Sequence, residues 1–118
     1  FTVKSNREFL GKALVELLYN AKKFTTDGHV KLTVRAVGIT VVFVVEDTGP
    51  GISEETQARL FDNFEKGNIF DEGLGMGLPT CRQMIRMIGG ELKFDATYKE
   101  GSRFIVVIPN SRGEVELR

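Results

Sequence analysis

The sequence predicts an α/β sandwich in which three helices cover one face of a mixed sheet of about five strands. Helical and strand patterns follow each other as one helix, two strands, two helices and two strands, and the first helix has an apolar stripe that must be buried against another element. A length of 118 residues fits one domain with a core of its own.

The first predicted helix spans residues 6–24, with Ser5 or Asn6 as its N-cap. Its apolar residues recur at spacings of three and four, which predicts one buried face. The residues of this stripe are Leu10, Ala13, Leu14, Leu17, Leu18 and Ala21.

Two strands follow the turn at 26–28. Residues 29–37 alternate between apolar and polar, which predicts a half-buried strand. Gly38 then turns the chain into a second strand over 40–46. The run at 41–45 is almost wholly apolar, which is typical of a central strand buried on both faces.

A second helix is predicted to begin after Ser53, its N-cap, and to run to Phe61 or Phe64. Residues 65–76 carry no periodicity and several glycines, so we expect a mobile loop there. A third helix is predicted over 78–88.

The last two strands are predicted over 91–97 and 103–108, joined by a turn at 100–101. The polar segment 110–118 then reads as a tail or linker. We therefore expect one domain over 1–109.

The composition of the chain argues against some classes of function. Basic and acidic residues both number 16, so the zero net charge argues against nucleic acid as a partner. No apolar run reaches membrane-spanning length, and a single cysteine, Cys81, fits a reducing, cytoplasmic compartment and a buried structural role. Because the chain opens on Phe1, we expect a fragment or processed product, and a membrane-anchored parent is compatible with it.

Three polar residues share one narrow sector of the first helix. Glu16, Asn20 and Lys23 are spaced by four and three residues, beside the apolar stripe. An acid, an amide and a base on one ridge can hold a metal–phosphate group, because Mg²⁺ takes few protein oxygens. A solvated helix face also explains this pattern, and the helix taken alone favours that interpretation.

A buried strand ends directly in Asp47, followed by Gly49 and Gly51. A carboxylate at a strand end can accept hydrogen bonds from amino groups, and glycines let the backbone approach a flat ligand. A plain strand–turn–helix connection is an equally good reading of this segment by itself.

Glycines at 73, 75 and 77 precede the third helix, where exposed amides and a helix N-terminus favour phosphate. The pattern is neither a dinucleotide-binding turn, since no strand precedes it, nor a P-loop, since no Lys-Ser/Thr pair follows it.

Five motifs in a fixed order resemble the ATP-binding catalytic domain of bacterial sensor histidine kinases, within the GHKL (Bergerat) ATPase group. The resemblance covers about Asn6 to Pro109 and implies a two-layer sandwich with a flexible ATP lid. The motifs are Glu16-Leu-Leu-Tyr-Asn20-Ala-Lys-Lys23-Phe24-Thr25, Asp47-Thr-Gly49-Pro-Gly51-Ile52, Phe61-Asp-Asn-Phe64, Gly73-Leu-Gly75-Met76-Gly77-Leu78 and Gly101-Ser102-Arg-Phe104.

The resemblance implies a role for each matching residue. Asn20 would coordinate Mg²⁺, Glu16 would polarise the acceptor as the catalytic acid–base group, and Asp47 would bind the adenine amine. Phosphate contacts would come from Lys23, Lys66 and the glycine amides, and Ser102 would assist at adenine. The implied nucleotide site also includes Phe24, Gly49, Gly51, Ile52, Gly73, Gly75, Met76, Gly77 and Leu78.

Three positions depart from the family pattern. Leu74 stands where the family has Thr, Met76 where it has Leu, and Asn63 where it has Pro. Loss of the Thr hydroxyl could weaken one phosphate contact, whereas Met for Leu conserves packing. Phe61 and Phe64 form the family's aromatic box, which would anchor the lid and touch the histidine-bearing domain.

The resemblance also implies partners. His29 is the only histidine and no acid follows it, so it does not match the phosphoacceptor pattern. The γ-phosphoryl group of ATP would pass to a histidine on a separate dimerisation domain and onward to a response regulator. The parent would be a homodimer and the isolated domain a monomer.

Three alternatives remain at this stage. A degenerate nucleotide-binding regulatory module would explain Leu74 and Asn63. An anti-sigma-type serine kinase shares the fold but lacks the aromatic box and the Lys23-Phe24-Thr25 ending. A protein-interaction domain without a ligand leaves the co-occurrence of the motifs unexplained.

Overall fold

A computed structural model describes residues 3–25, 27–61 and 77–109, without the side chains of residues 3–7 and 24. The predicted lid and tail lie outside these residues. The elements are α1 (Val3–Phe24), β1 (Val30–Val37), β2 (Thr40–Asp47), α2 (Glu54–Gln57), α3 (Gly77–Met87), β3 (Glu91–Phe94) and β4 (Ser102–Pro109).

The described strands form one sheet in the order β1-β2-β4-β3, and all its neighbours pair antiparallel. The predicted α/β sandwich is confirmed, but these four strands are not the mixed sheet of about five that we expected. The antiparallel direction of these strand pairs follows from the length of the connections between them. Short connections join β1 to β2 and β3 to β4, and a short connection can only join antiparallel strands.

The core lies between the sheet and helices α1 and α3. Alternate residues of β2 and β4 face this core, including Phe43, Val45 and Val106. The intervening residues, such as Val42 and Val44, are half-buried. The prediction that β2 is buried on both faces is therefore wrong, because its apolar run serves one covered face and one partly covered face.

Strand β1 is an edge strand and is more exposed than its alternation predicts. Val30, Leu32 and Val34 lie on the same side of the sheet as the core, yet 37–40% of each is exposed. The reason is the position of α1, which packs chiefly against α3 and only lightly against β1.

The helices differ from prediction mainly at their ends. Helix α1 begins at Val3, so neither Ser5 nor Asn6 caps it, but its apolar stripe packs in or against the core as expected. Ser53 does cap α2, with its hydroxyl accepting a hydrogen bond from the Thr56 amide at 3.2 Å. Helix α2 ends at Gln57, because the chain turns over 58–61 instead of continuing.

Helix α3 begins one residue earlier than predicted, at Gly77, and ends before Gly89. Gly89 has φ +88°, a left-handed conformation that terminates helices and that glycine adopts without strain. Across the described ranges, none of the helices combines the length and the apolar character needed to span a bilayer.

Cys81 lies on α3 where it packs against α1. Its side chain is fully buried, and its thiol donates to the carbonyl oxygen of Ala13 at 3.5 Å. Burial, helped by the nearby Glu16 carboxylate, raises the pKa of the Cys81 thiol to about 12. The predicted structural role of this cysteine therefore has a physical basis.

We predict that Cys81 is inert towards thiol reagents in the folded protein at neutral pH. The thiolate is the reactive form, and burial both disfavours it and blocks access. Because the folded pKa is raised, this contribution to stability is present below the unfolded pKa and is lost as pH rises towards 12. Labelling with a chromogenic disulfide reagent should follow the unfolding curve in denaturant. Full labelling of native protein within seconds would contradict this.

Candidate functional site

A cavity of about 160 Å³ opens between α1 and the end of the sheet where β2 finishes and β4 begins. Its walls are largely apolar, with a few convergent polar groups, as in many small-molecule sites. The lining residues on which the argument depends are Asn20, Asp47, Gly51, Ile52, Ser102 and Phe104.

The acid of the cavity is Asp47, the last residue of β2. The register of β2 with β4 places it opposite Ser102, and only 6% of each residue is exposed. The amides of Gly49 and Ser102 both donate to Asp47 Oδ1, at 2.9 and 3.2 Å. These backbone donors fix the carboxylate and leave Oδ2 as the acceptor for a ligand's N–H group.

Two glycine turns pack closely around this carboxylate. A Cβ atom at Gly101, which has φ +158°, would collide with the backbone carbonyl of Asp47. Gly51 has φ +81°, and a Cβ there would lie 3.2 Å from the carbonyl oxygen of Gly101. Glycine is required here because the backbones themselves close the cavity around Asp47.

Asn20 is the buried polar group on the helix side of the cavity. Only 7% of the residue is exposed, and its Nδ2 has no hydrogen-bond partner among the described residues. A buried amide without a partner is costly, and a ligand in the cavity would relieve that cost. Rotation about χ2 by 180° exchanges its oxygen and nitrogen, so Asn20 can present either atom.

Gly77, the first residue of α3, completes the helix side of the site. A Cβ atom there would lie 2.7 Å from Glu16 Oε1 and 3.0 Å from Asn20 Nδ2. The N-terminus of an 11-residue helix, with its partial positive charge, therefore adjoins the two predicted polar residues. Glu16 and Gly77 also line a wider groove of about 680 Å³ between α1 and α3.

The family described as histidine kinase-, DNA gyrase B- and HSP90-like ATPases matches residues 5–112 of this sequence. The chain belongs to this family.

Named relatives are sensor kinases. The chain is 39% identical over 105 residues to the circadian input-output histidine kinase CikA of Synechococcus elongatus, covering 85% of the chain and 14% of CikA. It is 39% identical over 116 residues to the adaptive-response sensory kinase SasA of Rippkaea orientalis, covering 94% of the chain and 29% of SasA. The chain thus spans less than a third of the length of these relatives.

Solved structures agree in fold. The catalytic domain of histidine kinase ThkA, in a nucleotide-free form, superposes with a TM-score of 0.76 at 29% identity, over 92% of this chain and 71% of that one. Full-length ShkA in complex with AMPPNP superposes with a TM-score of 0.72 at 32% identity, over 86% of this chain and 21% of that one.

The remaining predicted residues divide into three groups. Ile52 lines the cavity, whereas Leu78 is fully buried in the core of this ATPase domain. Lys23 is exposed, with its Nζ 5.6 Å from the centre of the Tyr19 ring, and lines neither the cavity nor the groove. The Phe24 side chain and the residues Asn63, Phe64, Lys66, Gly73, Leu74, Gly75 and Met76 lie outside the described part of the chain.

The structure adds cavity residues that the sequence did not single out for binding. Pro50, Ser53 and Thr56 line it beside Gly51. Ser53 carried only a helix-cap signal, and Thr56 carried none. Their contribution follows from the tertiary packing of segment 50–56 beside the cavity, which local sequence cannot predict.

Within the described ranges, no group of three or more His, Cys, Asp or Glu side chains could hold a metal ion. A divalent cation at Asn20 would therefore have to take most of its ligands from substrate and water. Mg²⁺ usually keeps several water ligands and takes few protein oxygens, so the donor set fits that ion.

We predict that Gly77→Ala impairs the site more than the fold. The added methyl group would lie too close to the Glu16 carboxylate. This flexible side chain can move away, so the fold tolerates the change, but the carboxylate then loses its position in the site. Nucleotide affinity should fall at least tenfold, while the midpoint of thermal unfolding changes little.

Gly11→Ala is the matched control, because a Cβ at this exposed helical position meets nothing within 4 Å. This variant should retain affinity and gain about 0.5–1 kcal/mol of stability from the better helix former. Equal nucleotide affinity in the two variants would contradict the close approach of α3 to Glu16.

Proposed function

We propose that this chain is the catalytic domain of a sensor histidine kinase, which binds Mg²⁺–ATP and transfers the γ-phosphoryl group to a histidine on a separate dimerisation domain. Membership of the ATPase family and the sensor-kinase relatives support the kinase assignment. The observation that carries it is the buried Asp47 carboxylate, held through Oδ1 at the end of an apolar cavity.

At the base end of the site, Asp47 would accept the exocyclic amine of adenine through Oδ2. A guanine base presents a carbonyl oxygen where adenine has its amine, and a carboxylate would repel it. The Ser102 hydroxyl would assist, and the backbone near Gly49, Gly51 and Ile52 would contact the flat ring, because the glycines carry no side chain.

At the phosphate end, Asn20 would supply one oxygen to Mg²⁺, and the N-terminus of α3 at Gly77 would face the phosphates. When bound, Mg²⁺ neutralises phosphate charge during transfer. Lys23 and the glycine-rich segment with Gly73 and Gly75 would add phosphate contacts. AMPPNP in the related ShkA supports a triphosphate ligand here.

The catalytic work of the chain would be positioning and electrostatics, as in other phosphoryl transfers. Glu16 lies beside Gly77 at the groove between α1 and α3, where an acceptor could approach. Its carboxylate would accept the acceptor's N–H proton or polarise that group. The exposed Lys23 can reach a phosphate only by reorienting from Tyr19.

We propose residues 1–109 as the catalytic domain and 110–118 as a tail or linker. The partners would be the histidine-bearing domain of the parent kinase and a cytoplasmic response regulator downstream. The parent kinase would be a homodimer. The second candidate function is a degenerate regulatory module. It is favoured by Leu74 and Asn63, which both depart from the kinase pattern at positions near the lid.

Calorimetric titration with a non-hydrolysable ATP analogue, with and without Mg²⁺, tests the proposal first. Saturable one-to-one binding that strengthens with Mg²⁺ is expected. Label transfer from ATP to an added histidine-bearing domain then separates an active kinase from a degenerate module. Absence of binding at millimolar analogue would overturn the nucleotide site.

We predict that Asp47→Ala abolishes detectable nucleotide binding. Losing the carboxylate removes the acceptor for adenine and leaves the Gly49 and Ser102 amides without their partner. Asp27→Ala, at an exposed turn, is the charge-matched control and should bind as the wild type. Unchanged affinity in Asp47→Ala would sink the adenine assignment.

We predict that Asn20→Ala loses the Mg²⁺-dependent part of binding, and loses transfer in the intact parent kinase. The Mg²⁺-free affinity should change much less, because Asp47 is untouched. Gln83→Ala removes an exposed amide from α3 and serves as the control. Normal transfer by the Asn20 variant would refute the metal role.

A further inference from the structure

A second set of charged residues lies behind the cavity, at the same end of the sheet. Arg103 of β4 pairs across the strands with Glu46 of β2. Its Nε and Nη2 lie 2.8 and 2.7 Å from Glu46 Oε2, and its Nη1 lies 3.2 Å from Asp95 Oδ2, just beyond β3. One guanidinium therefore joins the ends of three strands.

Tyr98 connects this cluster to the site. The Arg103 guanidinium carbon lies 4.1 Å from the centre of the Tyr98 ring, a favourable stacking geometry. The Tyr98 hydroxyl donates a long hydrogen bond, 3.5 Å, to the backbone carbonyl of Asp47. We call Glu46, Asp95, Tyr98 and Arg103 the strand-end network.

The strand-end network and the cavity occupy opposite faces of the same two strands. Glu46 precedes Asp47 on β2 and Arg103 follows Ser102 on β4, and successive strand residues point to opposite faces. The hydrogen bond from the Ser102 amide to Asp47 Oδ1 therefore depends on strand ends that the network holds together on the opposite face of the sheet. Strand ends without such contacts separate most easily.

Charge makes the arginine indispensable to this arrangement. Asp95 is held by Thr97, whose side chain and amide lower the pKa of the Asp95 carboxyl, with Arg103 adding to the effect. All three charged groups of the network are at most a third exposed. Without Arg103, the Glu46 and Asp95 carboxylates would flank β4 without the cation that now joins them, and their repulsion would weaken the contact between the turn at 95–101 and Asp47.

We propose that Arg103 is a positioning residue for purine recognition. Through the strand-end network it holds Asp47 and Ser102 in register, so that Oδ1 stays on the backbone amides and Oδ2 stays available to the base. This inference rests on the proposed nucleotide site and assigns the selectivity of that site to a residue that does not touch the ligand.

The test is base selectivity rather than affinity alone. The chain with Arg103→Met is titrated with AMP-PNP and with GMP-PNP, well below the unfolding temperature of each variant. We expect AMP-PNP affinity to fall by a factor on the order of 5 to 10. GMP-PNP is measured as a competitor at millimolar concentration, because it binds only weakly through the phosphate end. Its affinity should stay the same, so the preference for adenine shrinks by that factor.

Arg86→Met is the matched control. It removes another arginine–carboxylate pair, in which Arg86 contacts both oxygens of Glu91 at 3.1 Å, at the end of α3. This variant should keep the wild-type affinities and their ratio. A purely structural role for Arg103 would lower the unfolding temperature and leave the ratio intact, which would overturn the proposal.

Glu46→Gln provides a second route if Arg103→Met does not fold, because it weakens the same pair without changing volume. It should lower the adenine preference at least twofold, and an unchanged preference would count against Arg103. Wild-type chain that binds neither analogue would overturn the nucleotide site itself. Selective wild-type binding with equally selective Arg103→Met would overturn only the positioning role.

Discussion

Antiparallel pairing of β2 with β4 places Asp47 opposite Ser102, and the site is built from that register. Asp47 ends β2 and Ser102 begins β4, so the backbone amides of Gly49 and Ser102 and the adjoining glycine turns converge on the Asp47 carboxylate. A slip of one residue would turn Asp47 to the opposite face, where Glu46 and Arg103 now lie. The cavity therefore depends on the same register that packs Val45 and Val106 into the core.

The second constraint is the close approach of α3 to α1. Because Gly77 has no side chain, the N-terminus of α3 comes within contact distance of Glu16 and Asn20. Cys81, one turn further, is buried against the backbone of α1 at Ala13. Core packing between the two helices thus sets the distance between the helix N-terminus and the polar residues, so fold and site share the same contacts.

The two ends of the site have opposite electrostatic character. A fixed carboxylate serves one end, and the positive end of a helix dipole with an amide serves the other. A ligand with an amino-bearing ring and an anionic tail matches this arrangement, which is why the geometry and the family assignment converge. The strand-end network contributes from the far face of the sheet, where its charges stabilise the strands without entering the cavity.

Local pattern in the sequence determined the α1 stripe, the Ser53 cap, the strand positions and the candidate roles of Glu16, Asn20 and Asp47. The stripe, the cap and the strands follow from helical and strand periodicity, which acts over a few residues, whereas the candidate roles follow from the resemblance of short motifs to the kinase family. Tertiary structure alone decided that β1 is an exposed edge, that Leu78 packs in the core, and that Pro50 and Thr56 line the cavity. It also decided which polar groups meet. Gly77 touches Glu16, and Arg103 joins Glu46 to Asp95, only because packing and strand register bring together residues that are distant along the chain.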